Sequence, residues 1–241
     1  MAEITSYQYR IEPQHVDFTL RASAASIINY MLNVAGVDAR NKGFGVEALQ
    51  GQSFTWVLSR LAVEISKQPE QYSTIDIATW VNEFNRLSST RNFRLSKDGA
   101  LFAAGVSQWC MLNMESRQVA DMSLLRETYE REMVNEPSPI AAPQRLRPIE
   151  PTVTMSRPVA YSDIDFNRHV NTLRYIEMMF DAFPIELFET NNGMRIDINF
   201  IAEARYGETL VAGYIKEGNV WQFEIKTSSD KILCRSKIEF K

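Results

Sequence analysis

The sequence predicts an α+β fold built as two tandem units, each a long helix packed on a curved antiparallel sheet. Three observations carry that prediction. The order strand, helix, then four strands occurs twice within 241 residues. The strand-like runs are long and alternate apolar with polar residues, the period of a sheet with one buried face. A proline-rich segment, NEPSPIAAPQRLRPIEP, separates the two copies. A striped helix and a one-faced sheet bury each other in two layers.

In the first copy, residues 7–20 read as an extended opening strand. Residues 23–35, SAASIINYMLNVA, place Ala24, Ile27, Ile28, Met31, Leu32 and Ala35 on one broad helical face, and Gly36 is the expected stop. Strands are expected at 54–65, 74–84, 90–97 and 101–112. In the second of them Ile75, Ile77, Thr79 and Val81 alternate with Asp76, Ala78, Trp80 and Asn82. Lys97-Asp98-Gly99 signals a tight turn. Residues 123–134 are charged and read as a surface helix.

The next segment holds Pro137, Pro139, Pro143, Pro148 and Pro151. Proline at that density neither continues a helix nor sits in a central strand, so 137–151 reads as an extended linker, mostly a spacer. Domains are therefore expected at 1–136 and 152–241. The second copy has a short strand at 153–159, a helix at 171–183 and strands at 194–200, 208–215, 220–227 and 232–240, with Gly218-Asn219 as a turn.

Hydrophobic residues make up 45% and charged residues 23%, a soluble globular composition that supports a core without disulfides. The net charge of −4 gives no global basic field and disfavours nucleic-acid binding. No apolar run reaches membrane-spanning length. Two separated cysteines and two histidines offer no metal-ligand spacing, and no nucleotide-binding motif is present, so no cofactor is expected.

The chemically informative stretch is YSDIDFNRHVNTLRYIEMMFD, residues 161–181. Asp163, Asp165, Asn167 and His169 precede a helix with apolar residues at Leu173, Ile176, Met179, Phe180 and Phe183, and Asn171 is placed to cap it. A helix N-terminus presents unpaired N–H groups and positive potential, suited to a carbonyl oxygen becoming an oxyanion. A carboxylate, an amide and an imidazole beside it can activate water. Read as residues alone, these are also ordinary capping groups.

The pattern D-x-D-x-x-x-H-V-N followed by an aromatic helix resembles the active-site segment of hotdog-fold thioesterases. The narrower Asp165-x-Asn167-x-His169 resembles the acyl-ACP thioesterases, with Thr172 where a second Asn is usual. The first half agrees in order and type: RASAASIINY at 21–30, GFG at 43–45, TWVLSRL at 55–61, TWV at 79–81 and WCMLN at 109–113. The resemblance implies two hotdog units, each a helix wrapped by its sheet, forming an internal pseudo-dimer with sheets joined edge to edge. It implies hydrolysis of fatty acyl-ACP to free fatty acid, by water activation or by a carboxylate nucleophile such as Asp165, with Asp165, Asn167, His169 and Glu203 as the catalytic set. Glu203 is matched through NFIAEAR, 199–205, where Ala204 stands at a position often held by Cys. An acyl tunnel would be lined by Ile28, Met31, Leu32, Trp56 and Trp109 of the first half.

Acyl carrier protein is acidic, so a partner surface needs local basic residues; Arg86, Arg91, Arg94, Arg168 and Arg174 are the candidates. His15, without the Asp-x-Asn spacing ahead of it, reads as structural. Plant members of the family carry a transit peptide, and MAEITSYQYR shows neither that nor an apolar signal core, which points to a bacterial-type cytoplasmic protein. An acyl-CoA thioesterase and a non-catalytic acyl-binding hotdog protein are the alternatives, and a homodimer stays open.

Overall fold

The computed structural model describes residues 2–190 and 193–241. The chain divides into two compact units, Met1–Pro143 and Gln144–Lys241.

The first unit begins with β1 (Thr5–Arg10) and a 3₁₀ turn at Pro13–His15, then α1 (Ala24–Asn41), α2 (Val46–Gln50), β2 (Phe54–Ile65), β3 (Thr74–Phe84), β4 (Ser89–Lys97), β5 (Ala100–Asn113), a 3₁₀ turn at Met122–Leu125 and α3 (Arg126–Glu132). Its strands lie in the order β1-β3-β4-β5-β2, with antiparallel pairing throughout. β4 and β5 join through Asp98-Gly99 at φ 50 and 77, the doubly left-handed turn that this dipeptide favours. Ile27, Ile28, Met31 and Val34 turn the apolar face of α1 inward and are fully buried. Met31 reaches the sheet because Gly105 has no side chain: a Cβ there would stand 2.9 Å from its sulfur.

Three expectations for this unit are corrected. The opening strand ends at Arg10, where Pro13 starts the 3₁₀ turn, instead of running to residue 20. Gly36 does not stop α1. An exposed glycine inside a helix costs roughly 0.5–1 kcal/mol, and the turn beyond it buries Ala39 and brings Asp38 into its pairs with Arg91 and Lys42. The helix closes at Gly43, φ 83, with Phe44 N–H on Ala39 O at 3.0 Å and Gly43 N–H on Arg40 O at 3.1 Å, a Schellman motif. The surface helix expected at 123–134 shortens to α3 behind a 3₁₀ turn, its charged side exposed and its other side buried: Met122, Leu125 and Tyr129 pack with Phe44, Leu49 and Met111, and Tyr129 stacks on Phe84 at 4.1 Å.

The second unit holds β6 (Val153–Pro158), a 3₁₀ turn at Tyr161–Asp163, α4 (Thr172–Phe180), α5 (Glu186–Glu189), β7 (Met194–Phe200), β8 (Thr209–Glu217), β9 (Val220–Thr227) and β10 (Ile232–Phe240). Its order, β7-β10-β9-β8-β6, is that of the first unit read strand for strand. α4 ends at Phe180, three residues before the expected end, yet Phe183 still packs edge-on against Trp221 at 4.9 Å and Phe240 at 5.1 Å. The proline-rich segment is more than a spacer. Gln144 and Leu146 N–H groups donate to the buried side chains of Asp197 and Asn199, both at 2.9 Å.

Candidate active site

One carboxylate shapes the loop before α4. Asp165 Oδ1 accepts the N–H of Asn167 at 2.8 Å and that of His169 at 3.2 Å. Asp165 N–H donates to His169 O at 2.8 Å, Arg168 N–H donates to Asp165 O at 3.0 Å, and Ile164 pairs with Val170 across the neck. Arg168 takes φ 64, a left-handed conformation costing a non-glycine residue on the order of 1 kcal/mol; the surrounding bonds hold it there. Asn171 then caps α4, its side-chain oxygen accepting Leu173 N–H at 2.9 Å.

The loop presents His169 to Glu203, with Nδ1 3.3 Å from Oε2. Nδ1 is buried and makes no aligned hydrogen bond. The Glu203 side chain is 36% exposed against 12% for His169, leaving the carboxylate open to solvent. The segment carrying Glu203 is stitched in place by bonds that include Val170 N–H to Ala204 O at 2.9 Å, Ala204 N–H to Tyr175 Oη at 3.0 Å and Lys231 Nζ to Glu203 O at 2.6 Å. The structure therefore brings Asp165, His169 and Glu203 together. Asn167 joins through its backbone, and its side chain is exposed.

Two residues of this neighbourhood lie outside the expected catalytic set, one named in the sequence without a role and one not singled out there. Asp163, buried under the loop, accepts both Arg157 guanidinium nitrogens at 2.7 and 3.1 Å and Ala160 N–H at 2.7 Å. Burial would raise its carboxyl, but those bonds and the charges of Arg157 and Arg174 outweigh it and hold the group below the ordinary carboxylate value. Tyr175 is the other; the available signal was a polar-tipped aromatic four residues after the cap, on an otherwise apolar face.

Of the other expected residues, Ile28 and Met31 are fully buried and Leu32, Trp56 and Trp109 partly so. Trp56 donates to Phe44 O at 2.7 Å and Trp109 to Ser107 Oγ at 2.8 Å. Arg91 is corrected outright as a surface contact: it is 3% exposed and paired with buried Asp38 at 2.6 Å, the arrangement a buried charge requires. Arg94 lies over the Trp80 ring and pairs with Glu136. Arg86 and Arg168 remain exposed.

A model of the acyl-ACP thioesterase N-terminal domain matches residues 3–129, and one of the acyl-ACP thioesterase C-terminal domain matches residues 147–241. The chain belongs to the acyl-ACP thioesterase family. It is similar to a solved acyl-ACP thioesterase from Bacteroides thetaiotaomicron, 36% identical over 99% of this chain and 98% of that one, with a TM-score of 0.88. The 12:0-ACP thioesterase from Umbellularia californica shares the fold at 17% identity, with a TM-score of 0.86 over 99% of this chain and 97% of that one. Two chloroplastic relatives are each 24% identical: oleoyl-acyl carrier protein thioesterase 1 of Arabidopsis thaliana, over 78% of this chain, and an acyl-[acyl-carrier-protein] hydrolase of Cuphea viscosissima, over 70%. The chain spans about half the length of these curated relatives, 57% and 43% respectively. The expected double-hotdog α+β class agrees with these matches. Among the described residues no helix is long and apolar enough to cross a membrane.

Proposed function

We propose that this protein hydrolyses the thioester of fatty acyl-ACP to release free fatty acid, as a cytoplasmic enzyme of bacterial fatty acid biosynthesis. The observation that carries the reading is the His169–Glu203 pair at 3.3 Å, beside the start of α4. The 36% identical acyl-ACP thioesterase supports it over nearly the whole chain.

In the proposed reaction Glu203 and His169 take a proton from water as its oxygen bonds to the thioester carbonyl carbon. The oxyanion that forms is met by the exposed Asn167 amide. The C–S bond then breaks, the proton passes to the leaving sulfur, and the products are a carboxylic acid and the carrier's free thiol. Asp165, its Oδ1 engaged by two N–H groups, holds the loop that presents His169 and is the proposed electrostatic partner of the reaction. Ile28, Met31, Leu32, Trp56 and Trp109 are the proposed acyl-tail residues, and Arg86 and Arg168 the proposed contacts for an acidic carrier.

Free-thiol release from matched acyl-ACP and acyl-CoA substrates tests the reading. Faster turnover of acyl-ACP, falling more steeply with salt, is the expected result. Preference for acyl-CoA with no difference in salt dependence would transfer the assignment to an acyl-CoA thioesterase. Binding without turnover would leave an acyl-binding protein.

A further inference from the structure

The segment carrying Glu203 has a counterpart in the first unit, and the two are held differently. Val170 N–H donates to Ala204 O, and Ala22 N–H donates to Pro69 O, both at 2.9 Å. Asn171 and Ser23 cap the two helices through their side chains. Counting from these anchors, Ala204 corresponds to Pro69, Glu203 to Gln68, and Tyr175, four residues past its cap, to Ile27.

In the second unit Ala204 N–H is buried and donates to the Tyr175 hydroxyl at 3.0 Å; Ala204 is fully buried and Tyr175 is 3% exposed. A buried N–H without an acceptor costs about 1–3 kcal/mol. In the first unit neither partner exists: Pro69 has no N–H and Ile27 has no hydroxyl. Donor and acceptor are present together in the unit with His169 and Glu203, and absent together in the other. There Gln68 is folded away, its amide donating to Ala22 O at 3.1 Å.

Resting on the catalytic reading of His169 and Glu203, we infer that Tyr175 is a positioning residue, whose hydroxyl holds Ala204 N–H and thereby sets the Glu203 carboxylate against the imidazole. It touches neither substrate nor the reacting atoms. It ties α4, which begins just after His169, to the residue next to Glu203.

Tyr175→Phe removes the hydroxyl and little else. The expected result is a folded protein whose kcat on the best acyl-ACP substrate falls at least about tenfold with KM within about twofold, the signature of lost transition-state stabilisation. The chain has two histidines, so NMR supplies a readout independent of turnover: the His169 C2–H resonance shifts and that of His15 does not. A wild-type-like kcat together with an unmoved His169 resonance overturns the inference. If Tyr175→Phe does not fold, Ala204→Pro removes the donor while keeping the hydroxyl, at a position whose counterpart is already proline. It is expected to lose kcat in the same way, and full activity overturns the inference. Wild-type protein that turns over no acyl thioester, but whose variant moves the His169 resonance, would refute the hydrolase reading and leave the positioning one standing.

Discussion

Residues 17–23, DFTLRAS, and residues 165–171, DFNRHVN, lead into α1 and α4 through one and the same turn. In each, the Asp Oδ1 accepts the N–H two residues on at 2.8 Å. In each, the Asp N–H donates to the backbone oxygen four residues on, at 2.9 and 2.8 Å, and a left-handed residue follows: Leu20 at φ 59 and Arg168 at φ 64. The 3₁₀ turns ahead of them match as well, with Glu12 N–H capped by His15 Nδ1 at 3.1 Å and Ala160 N–H by Asp163 at 2.7 Å. What differs is the chemistry mounted on the frame: Thr19 for Asn167, Arg21 for His169 and Gln68 for Glu203. An aspartate at the head of this turn is thus shared by the fold, since the unit with Arg21 in place of the histidine has it too. The imidazole of His169 and the carboxylate of Glu203 are what the second unit adds at these places.

The largest expected effect tests that division directly. His169→Ala and Glu203→Gln should each lower kcat by about a hundredfold or more, the scale of removing a general acid–base group. Arg21→Ala and Gln68→Ala, at the corresponding places in the first unit, should leave kcat within about twofold, melting curves permitting. Comparable losses in both units would mean that the first unit also takes part in the chemistry.

How much of this was legible in the sequence follows from what each signal depends on. Period-two alternation is local, and β2, β3, β7, β9 and β10 fall where it placed them. The Asp165, Asn167 and His169 spacing is local too, and those residues share one turn. Gly36 misled because a glycine stop is read from one residue, whereas α1 continues for the sake of Asp38, which pairs with Arg91 from a distant strand. The same pair removed Arg91 from the surface. The equivalence of the two turns is carried by the shared Asp-Phe at 17–18 and 165–166, whereas His15 corresponds to Asp163 and shares no residue type with it. Tyr175 and Ala204 lie 29 residues apart, and no spacing rule joins them.

A smaller effect is expected from the aspartates themselves. Asp17→Ala and Asp165→Ala each remove an acceptor of two hydrogen bonds, from Thr19 N–H and hydroxyl in one turn and from Asn167 and His169 N–H in the other, and should each cost about 1–2 kcal/mol of stability, read as paired denaturant midpoints. Only Asp165→Ala should also reduce turnover, by about tenfold or more. Asp165→Asn keeps an oxygen at Oδ1 and should retain more activity than the alanine variant. A variant pair with unequal stability losses would break the claim that the two turns are the same structure.

Acid separates the two 3₁₀ turns further. Asp163 titrates below the ordinary carboxylate value of 3.8. Its contribution is therefore present at pH above the unfolded-state value and is lost as pH falls through the lower, folded one. Asp163→Asn should cost about 1–2 kcal/mol at neutral pH, and the gap from wild type should close progressively below about pH 4. Denaturant midpoints across pH 3–7 measure it, and a gap that stays constant to pH 3 would contradict the sign.

The smallest effect is expected from the thiols, one in each unit. If the two loops differ in activity because of imidazole and carboxylate alone, neither cysteine should matter to the chemistry. Burial pushes both thiols up, Cys234 the further because it is wholly enclosed in β10, and Cys110 despite the nearby Ser59 and Arg60. A protonated thiol is a poor nucleophile, and neither cysteine sits at a helix N-terminus that would lower its pKa. Ala204, next to Glu203, offers no sulfur and lends its backbone only. The Cys110→Ser/Cys234→Ser variant should therefore keep kcat within about threefold, while placing a hydroxyl at the buried Cys234 position should cost about 1–3 kcal/mol of stability. Turnover measured well below the variant's melting temperature separates the two effects. A folded double variant that is inactive would shift the decisive difference between the units from His169 and Glu203 to a thiol.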